Sequence, residues 1–222
     1  MTARYGQIVP TNWSMVSMMS WLSPYVPVQY QVDDAQNLIV KEAIEKDFEW
    51  LFLHEHDVLL PHDTILRLNE YIRSEEHPVV SGLYFTKNIP AEPMIYRGRG
   101  NSFYTDWKLG DLVWADGVPT GCLLIHMGLI REMWKDAPEY KTISGQVTRR
   151  VFETPRDMWF DPETGQYNTK VGTSDLEWCT KVIKEGYLEK AGWKKHAKKE
   201  FPFLIDTNIF CKQIDEQGVQ YP

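Results

Sequence analysis

Residues Glu49–Pro61 read EWLFLHEHDVLLP. An apolar run enters four consecutive ionisable residues, His54, Glu55, His56 and Asp57, and at once turns apolar again. Charges taken into a dry interior shift their protonation or find a counter-ion, so the pattern predicts a buried strand whose end is satisfied by something beyond its own side chains. In an extended chain alternate side chains share a face, which places Glu55 and Asp57 on one side and His54 and His56 on the other. Two carboxylates at i and i+2 form a hard-oxygen pair suited to Mg2+ or Mn2+, ions that retain water and also bind phosphate oxygens. The histidine pair offers zinc instead. A wholly structural use of all four, as ion pairs and satisfied imidazoles, is the third reading.

Outward from this stretch, short apolar strands alternate with helical patterns, the signature of a layered α/β sheet. On the N-terminal side the spacing predicts a strand over YGQIVPT, a helix over SMVSMMSWL, a strand over VPVQYQV, and a helix over AQNLIVKEAIEKD capped by Asp33 or Asp34. On the C-terminal side Pro61 opens a helix over HDTILRLNEYIRSE, and PVVSGLYF returns to strand. EPMIYRGRG and LVWADG read as strands, and GCLLIHMGLIREMW passes from strand to helix. Residues 138–173 carry Pro, Gly, Thr and Asp with no sustained period, which predicts a mobile substrate-side loop. SDLEWCTKVIKEG is a helix stopped by Gly186, and FPFLIDTNIFCKQ a final strand before a polar tail.

A chain of 222 residues, 43% hydrophobic and 13% aromatic, can bury a large core and suits a single domain spanning 1–222. No apolar run approaches the ~20 residues that span a bilayer, and the reading is a cytoplasmic protein with no membrane span. Cys122, Cys179 and Cys211 stand far apart in apolar sequence and read as reduced core residues. The net charge of −7 argues against broad affinity for nucleic acid, although Lys194, Lys195, Lys198 and Lys199 form a local basic cluster, most simply a solvated face.

Several segments, in order, resemble the nucleotide-sugar glycosyltransferases of GT-A fold, particularly family 2 and its short phage-like and prokaryotic relatives. The likeness is carried by DAQNLIVKEAIEKDFEWLFLHEHDVLLPHDTILRL, VVSGLYFTK, ADGVPTGCLLIHMGLI and TSDLEWCTKVIKEGY. It covers the chain from about Ile8 to Gln213. The resemblance implies a Rossmann-like, mostly parallel mixed sheet flanked by helices. Glu55 and Asp57 stand on the acidic positions of the D-x-D motif, so the likeness implies that they hold a divalent cation, Mn2+ or Mg2+, together with Gln213 on the last strand. Thr11, Asn12, Gln36 and Asn37, with Glu55, would lie beside the nucleotide of a UDP- or GDP-sugar. Asp175 matches the acidic residue that serves inverting members as general base, and Thr120, Gly121 and Trp178 fall on the acceptor side.

The sequence departs from the family pattern at Glu55 for the leading aspartate, Gln36 for an arginine, Ser174 for the acid before Asp175, and Gln213 for a metal-binding histidine. Three readings follow: a metal-dependent, inverting, hexosyltransferase-like enzyme acting on a hydroxyl acceptor, an inactive relative that binds nucleotide sugars, and a zinc hydrolase using His54 and His56. Glycan, lipid-linked sugar, protein and modified nucleic acid all stay open as acceptors. A helix start at Ser174 and Asp175 explains those residues equally well as caps.

Overall fold

The computed structural model describes residues 25–27, 29–98 and 103–222. The first predicted strand and helix, with Thr11 and Asn12, lie outside the described residues. The described part of VPVQYQV is irregular rather than a strand, because Gln29 takes φ of 66°, which breaks extended geometry. Helix α1 then spans Val32–Glu45, with Gln31 rather than an aspartate at its N-cap. Asp33 and Asp34 occupy the first turn, where carboxylates oppose the positive end of the helix dipole.

The chain continues through β1 (Trp50–His54), β2 (Val58–Leu59), α2 (Thr64–Ser74), β3 (Val79–Leu83), β4 (Leu112–Ala115), β5 (Cys122–His126) and α3 (Met127–Asp136). After these come β6 (Glu139–Lys141), β7 (Val147–Arg149), β8 (Arg156–Asp161), β9 (Gln166–Val171) and α4 (Ser174–Lys184). Short helices α5 (Tyr187–Lys190) and α6 (Lys194–Ala197) lead to β10 (Phe203–Phe210), β11 (Lys212–Ile214) and β12 (Gln220–Tyr221). Among the described residues, no helix is long and apolar enough to cross a membrane.

The central sheet has the order β1-β5-β3-β10-β4 among the described residues. It is mixed rather than mostly parallel, since β3 and β10 form its one parallel neighbouring pair. The reason lies in β5. Strands β1 and β3 run the same way across the α2 crossover, but β5 inserts between them and pairs antiparallel with both.

Period-2 alternation feeds a core on each face of this sheet. Leu51, Leu53, Leu123, Ile125, Phe203 and Ile205 pack against α1, α3 and α4. Cys122, Leu124, Val80 and Leu204 face Leu68, Tyr71 and Ile72 of α2. All three cysteines are buried and unbridged.

Residues 138–173 are not one irregular loop but two hairpins, β6–β7 and β8–β9. Gly145 and Gly165, at φ of 88° and 66°, make their turns. The first hairpin lies against α1, where Thr148 Oγ1 donates to the Asn37 carbonyl. The second leaves Met158, Phe160, Tyr167 and Val171 exposed. Among the described residues, the predicted strand over EPMIYRGRG survives only as single bridges at Pro93 and Tyr96. The C-terminal polar tail instead forms β12, which with β11 and β2 makes a small sheet.

Candidate functional site

Strand β1 ends at His54, and the chain does not stay extended through Asp57. Val58 N donates to the Glu55 carbonyl at 3.2 Å, closing a turn. The His54 ring folds back onto that turn, with Nε2 2.7 Å from the Val58 carbonyl oxygen. The turn, not strand alternation, therefore brings Glu55 and Asp57 together. The main chain of Asp57 is held from the other side by Ile214 N of β11, which donates to its carbonyl at 2.8 Å. Gln213 is buried and pairs in register with Val58, the residue after Asp57.

Glu55 is tied to distant parts of the chain through its side chain. Thr120 Oγ1 donates to Glu55 Oε1 at 2.9 Å, and Gln36 Nε2 donates to the same hydroxyl at 3.1 Å. This relay joins α1, the loop before β5 and the end of β1. Gln36 is 1% exposed, and its Oε1 has no hydrogen-bond partner among the described residues. Burial, then the Asp57 and Asp175 carboxylates beside it, push the Glu55 carboxyl up to about 7. The Thr120 hydroxyl and the Lys87 ammonium act in the opposite direction.

Asp175 sits in the first turn of α4, behind an N-cap supplied by Thr173. Its Oδ1 accepts from the adjacent Leu176 N at 2.8 Å, and its charge reaches Glu55, Tyr84 and Tyr96. Burial raises both phenols above their ordinary range, helped at Tyr84 by the Glu55 and then the Asp175 charge and at Tyr96 by the Asp175 charge. Three carboxylates from two separated segments thus share one neighbourhood.

Other sequence-predicted residues have structural tasks instead. The Asn37 amide is saturated: Oδ1 accepts from Val151 N and Phe152 N, and Nδ2 donates to the Phe152 carbonyl and the Tyr140 hydroxyl. It locks the β7–β8 connection to α1 and has no capacity left for a nucleotide. Trp178 is 0% exposed, stacked between Phe152 and Phe203 in the core, so it cannot present an aromatic face to an acceptor. Thr120 is buried in the relay to Glu55 rather than turned to an acceptor. Gly121 lacks a side chain to admit Tyr84, not a sugar. A Cβ there would lie 2.7 Å from both Tyr84 Cζ and Val58 Cγ2, and Tyr84 Oη accepts from Gly121 N at 2.8 Å.

Lys87 is the residue that sequence reasoning missed. Its Nζ lies 2.5 Å from Asp57 Oδ2. The signal was a lone lysine just beyond the buried strand VVSGL, at the rim where β1 delivers its acids, but nothing local says that the two loops meet. Among the described residues, no group of three or more His, Cys, Asp or Glu is arranged to hold a metal ion. Glu55 and Asp57 supply two carboxylates, which fits ions that bind through one or two carboxylates and complete their shell with water and phosphate. The zinc pairing fits poorly, since His54 is buried and its Nε2 is engaged by Val58. A cavity of about 220 Å3 lies elsewhere, at the start of α1 between Asp33, Asp34, Tyr140 and Arg150. Its aspartates are already matched, by Thr154 N and the Tyr140 hydroxyl.

The buried ionisable groups predict a pH profile. Burial lowers His54 and His196 from 6.5 to about 4. Their folded-state pKa is depressed, so the unfolded chain binds more protons between those values. Their stabilising contribution is complete above about pH 6.5 and is lost as the pH falls towards 4. Glu55 has the opposite sign: raised from 4.5 to about 7, it contributes fully below 4.5 and loses that contribution as the pH rises through 7. Between 4.5 and 6.5 the two histidines outweigh the one carboxyl, and His77 and His126, which burial also lowers, act in the same direction, so stability rises with pH there. Urea midpoints should therefore rise from pH 5 to 6.5, and Glu55→Gln should raise the midpoint at pH 8. An equal or higher wild-type midpoint at pH 5 than at 6.5 contradicts this account.

No family model matches the chain, and no curated protein matches it. In structure it is similar to A197 from STIV, whose crystal structure superposes with a TM-score of 0.59 at 11% identity, covering 99% of this chain and 90% of that one. At that identity the likeness is one of fold alone.

Proposed function

We propose that this chain is a GT-A-type glycosyltransferase, metal-dependent and inverting, that moves a sugar from a UDP- or GDP-sugar to a hydroxyl acceptor. The observation that carries the reading is the meeting of Gln36, Thr120, Glu55, Asp57 and Asp175, drawn from separate parts of the chain, at the end of β1. In open α/β sheets, ligands bind outside the carboxyl ends of the strands, and the acid turn lies at such an end.

Glu55 and Asp57 would hold the ion, and Gln213, paired with Val58, is the third candidate ligand. When bound, Mn2+ or Mg2+ supplies Lewis-acid stabilisation of the charge that grows on the leaving diphosphate. The rest falls to the protein's own residues. Thr120 and Gln36 orient Glu55 through fixed hydrogen bonds, so that little reorganisation accompanies the reaction. Asp175 accepts the proton of the acceptor hydroxyl as that oxygen attacks the sugar. Its charge reaches Glu55, Tyr84 and Tyr96, which sets this carboxylate beside the acid turn.

Asp57→Ala tests the donor half. Affinity for UDP or GDP in the presence of Mn2+ is expected to fall at least ~10-fold by calorimetry, the scale of one charge-assisted contact. Asp57→Asn should fall similarly while keeping the shape of the turn. Unchanged Mn2+-dependent nucleotide binding in both variants would remove the acid turn from the donor site.

A further inference from the structure

Lys87 is the cation that the acid turn already owns. It lies just past the end of β3 and reaches Asp57 from 30 residues away in sequence. Both side chains are partly exposed, Lys87 at 32% and Asp57 at 24%. The pair therefore sits at the rim, where a flexible four-carbon stem can change partners without unpacking the core.

The neighbourhood also points to a ligand independently of its charges. Gln36, one of the most buried polar side chains, gives its amide N–H to the Thr120–Glu55 pair and leaves its Oε1 without a hydrogen-bond partner among the described residues. Buried acceptors in folded proteins are almost always matched. This one is left to a hydroxyl or N–H of a bound molecule.

Resting on the donor reading above, we infer that Lys87 is both the resident counter-ion of Asp57 and a phosphate-binding residue: it holds Asp57 while the donor is absent and exchanges that carboxylate for diphosphate oxygens when a metal-bound nucleoside diphosphate enters. The charges favour the exchange. Among the described residues, Glu55, Asp57 and Asp175 lie together, and the Lys87 ammonium pairs with Asp57. A divalent ion arriving alone must displace that ammonium and leave it unpaired, which weakens its binding. An ion arriving with a diphosphate offers the ammonium new oxygens, so metal and nucleotide bind cooperatively.

The test separates the two halves by sign. Mn2+ alone is titrated into wild-type protein, Lys87→Met and Lys87→Arg by electron paramagnetic resonance, and UDP and GDP are then titrated with Mn2+ present by calorimetry. Lys87→Met should bind Mn2+ alone ~10-fold more tightly and the better nucleotide ~10-fold more weakly, each the scale of one charge-assisted contact. Lys87→Arg should match the wild type for Mn2+ and keep nucleotide affinity within ~3-fold, because the charge is retained. A residue that merely stiffens the loop would move both affinities in one direction or neither. With circular dichroism showing an intact fold, Mn2+ affinity that does not rise in Lys87→Met overturns the counter-ion role, and unchanged nucleotide affinity overturns the phosphate role. If the wild type binds neither UDP nor GDP at any Mn2+ concentration, the donor reading and the phosphate role both fall, and the Mn2+ titration alone still decides the counter-ion.

Discussion

Replacing Asp175 by asparagine is expected to leave UDP or GDP binding with Mn2+ within ~3-fold of the wild type and to lower sugar transfer by ~10²- to 10⁴-fold, the usual contribution of a positioned general base. Asparagine keeps the shape and the acceptor oxygen that meets Leu176 N at 2.8 Å. What it removes is the negative charge that reaches Glu55, Tyr84 and Tyr96. The measurement is single-turnover transfer beside calorimetric nucleotide binding. A variant that transfers at the wild-type rate would strip Asp175 of the base role, whereas one that also loses nucleotide would place it in the donor site instead.

Gly121→Ala is expected to destabilise the fold by about 2–4 kcal/mol. A Cβ at this position meets Tyr84 and Val58 at 2.7 Å, and making room for it disturbs the bond from Gly121 N to the Tyr84 hydroxyl. Overpacking costs ~1–3 kcal/mol, and the disturbed hydrogen bond about 1 kcal/mol more. For a chain of this length that corresponds to a fall in Tm of roughly 5–15 °C. Tyr84→Phe alone should also destabilise, by stranding the Gly121 N–H. Combining the two should cost less than the sum of the singles, because the phenol oxygen is among the atoms that the new methyl meets. Strict additivity, or a Gly121→Ala variant as stable as the wild type, would show that Tyr84 can move aside and that the close approach is incidental.

These two positions show how differently the site was readable. Asp175 could be located in advance, because the helix over SDLEWCTKVIKEG begins at Ser174 and ends before Gly186 at φ of 70°. Gly121 was noticed as a turn glycine, but its neighbour Tyr84 stands 37 residues earlier, and no spacing rule joins them. Asn37 and Trp178 failed as site residues for a related reason. A motif position places a residue on an element but not on a face of it, and both turned inward to groups contributed by Val151, Phe152 and Phe203.

By itself the sequence determined the elements with a sustained period, from α1 to β3 and from β5 to α3, and the end of β1 as the place where charge meets core, because hydrophobic period and turn chemistry act over neighbouring residues. It also put Glu55 and Asp57 on one side of the chain, by strand alternation, whereas a turn closed by Val58 N is what joins them. The tertiary structure alone decided the strand order, with β5 inserted antiparallel between β1 and β3, and that insertion carries Thr120 to Glu55 across 65 residues. It likewise chose Lys87 as the partner of Asp57. Such pairings depend on which loops share one rim of the sheet, and the free energy that selects among strand orders is spread over the whole core rather than written at either residue.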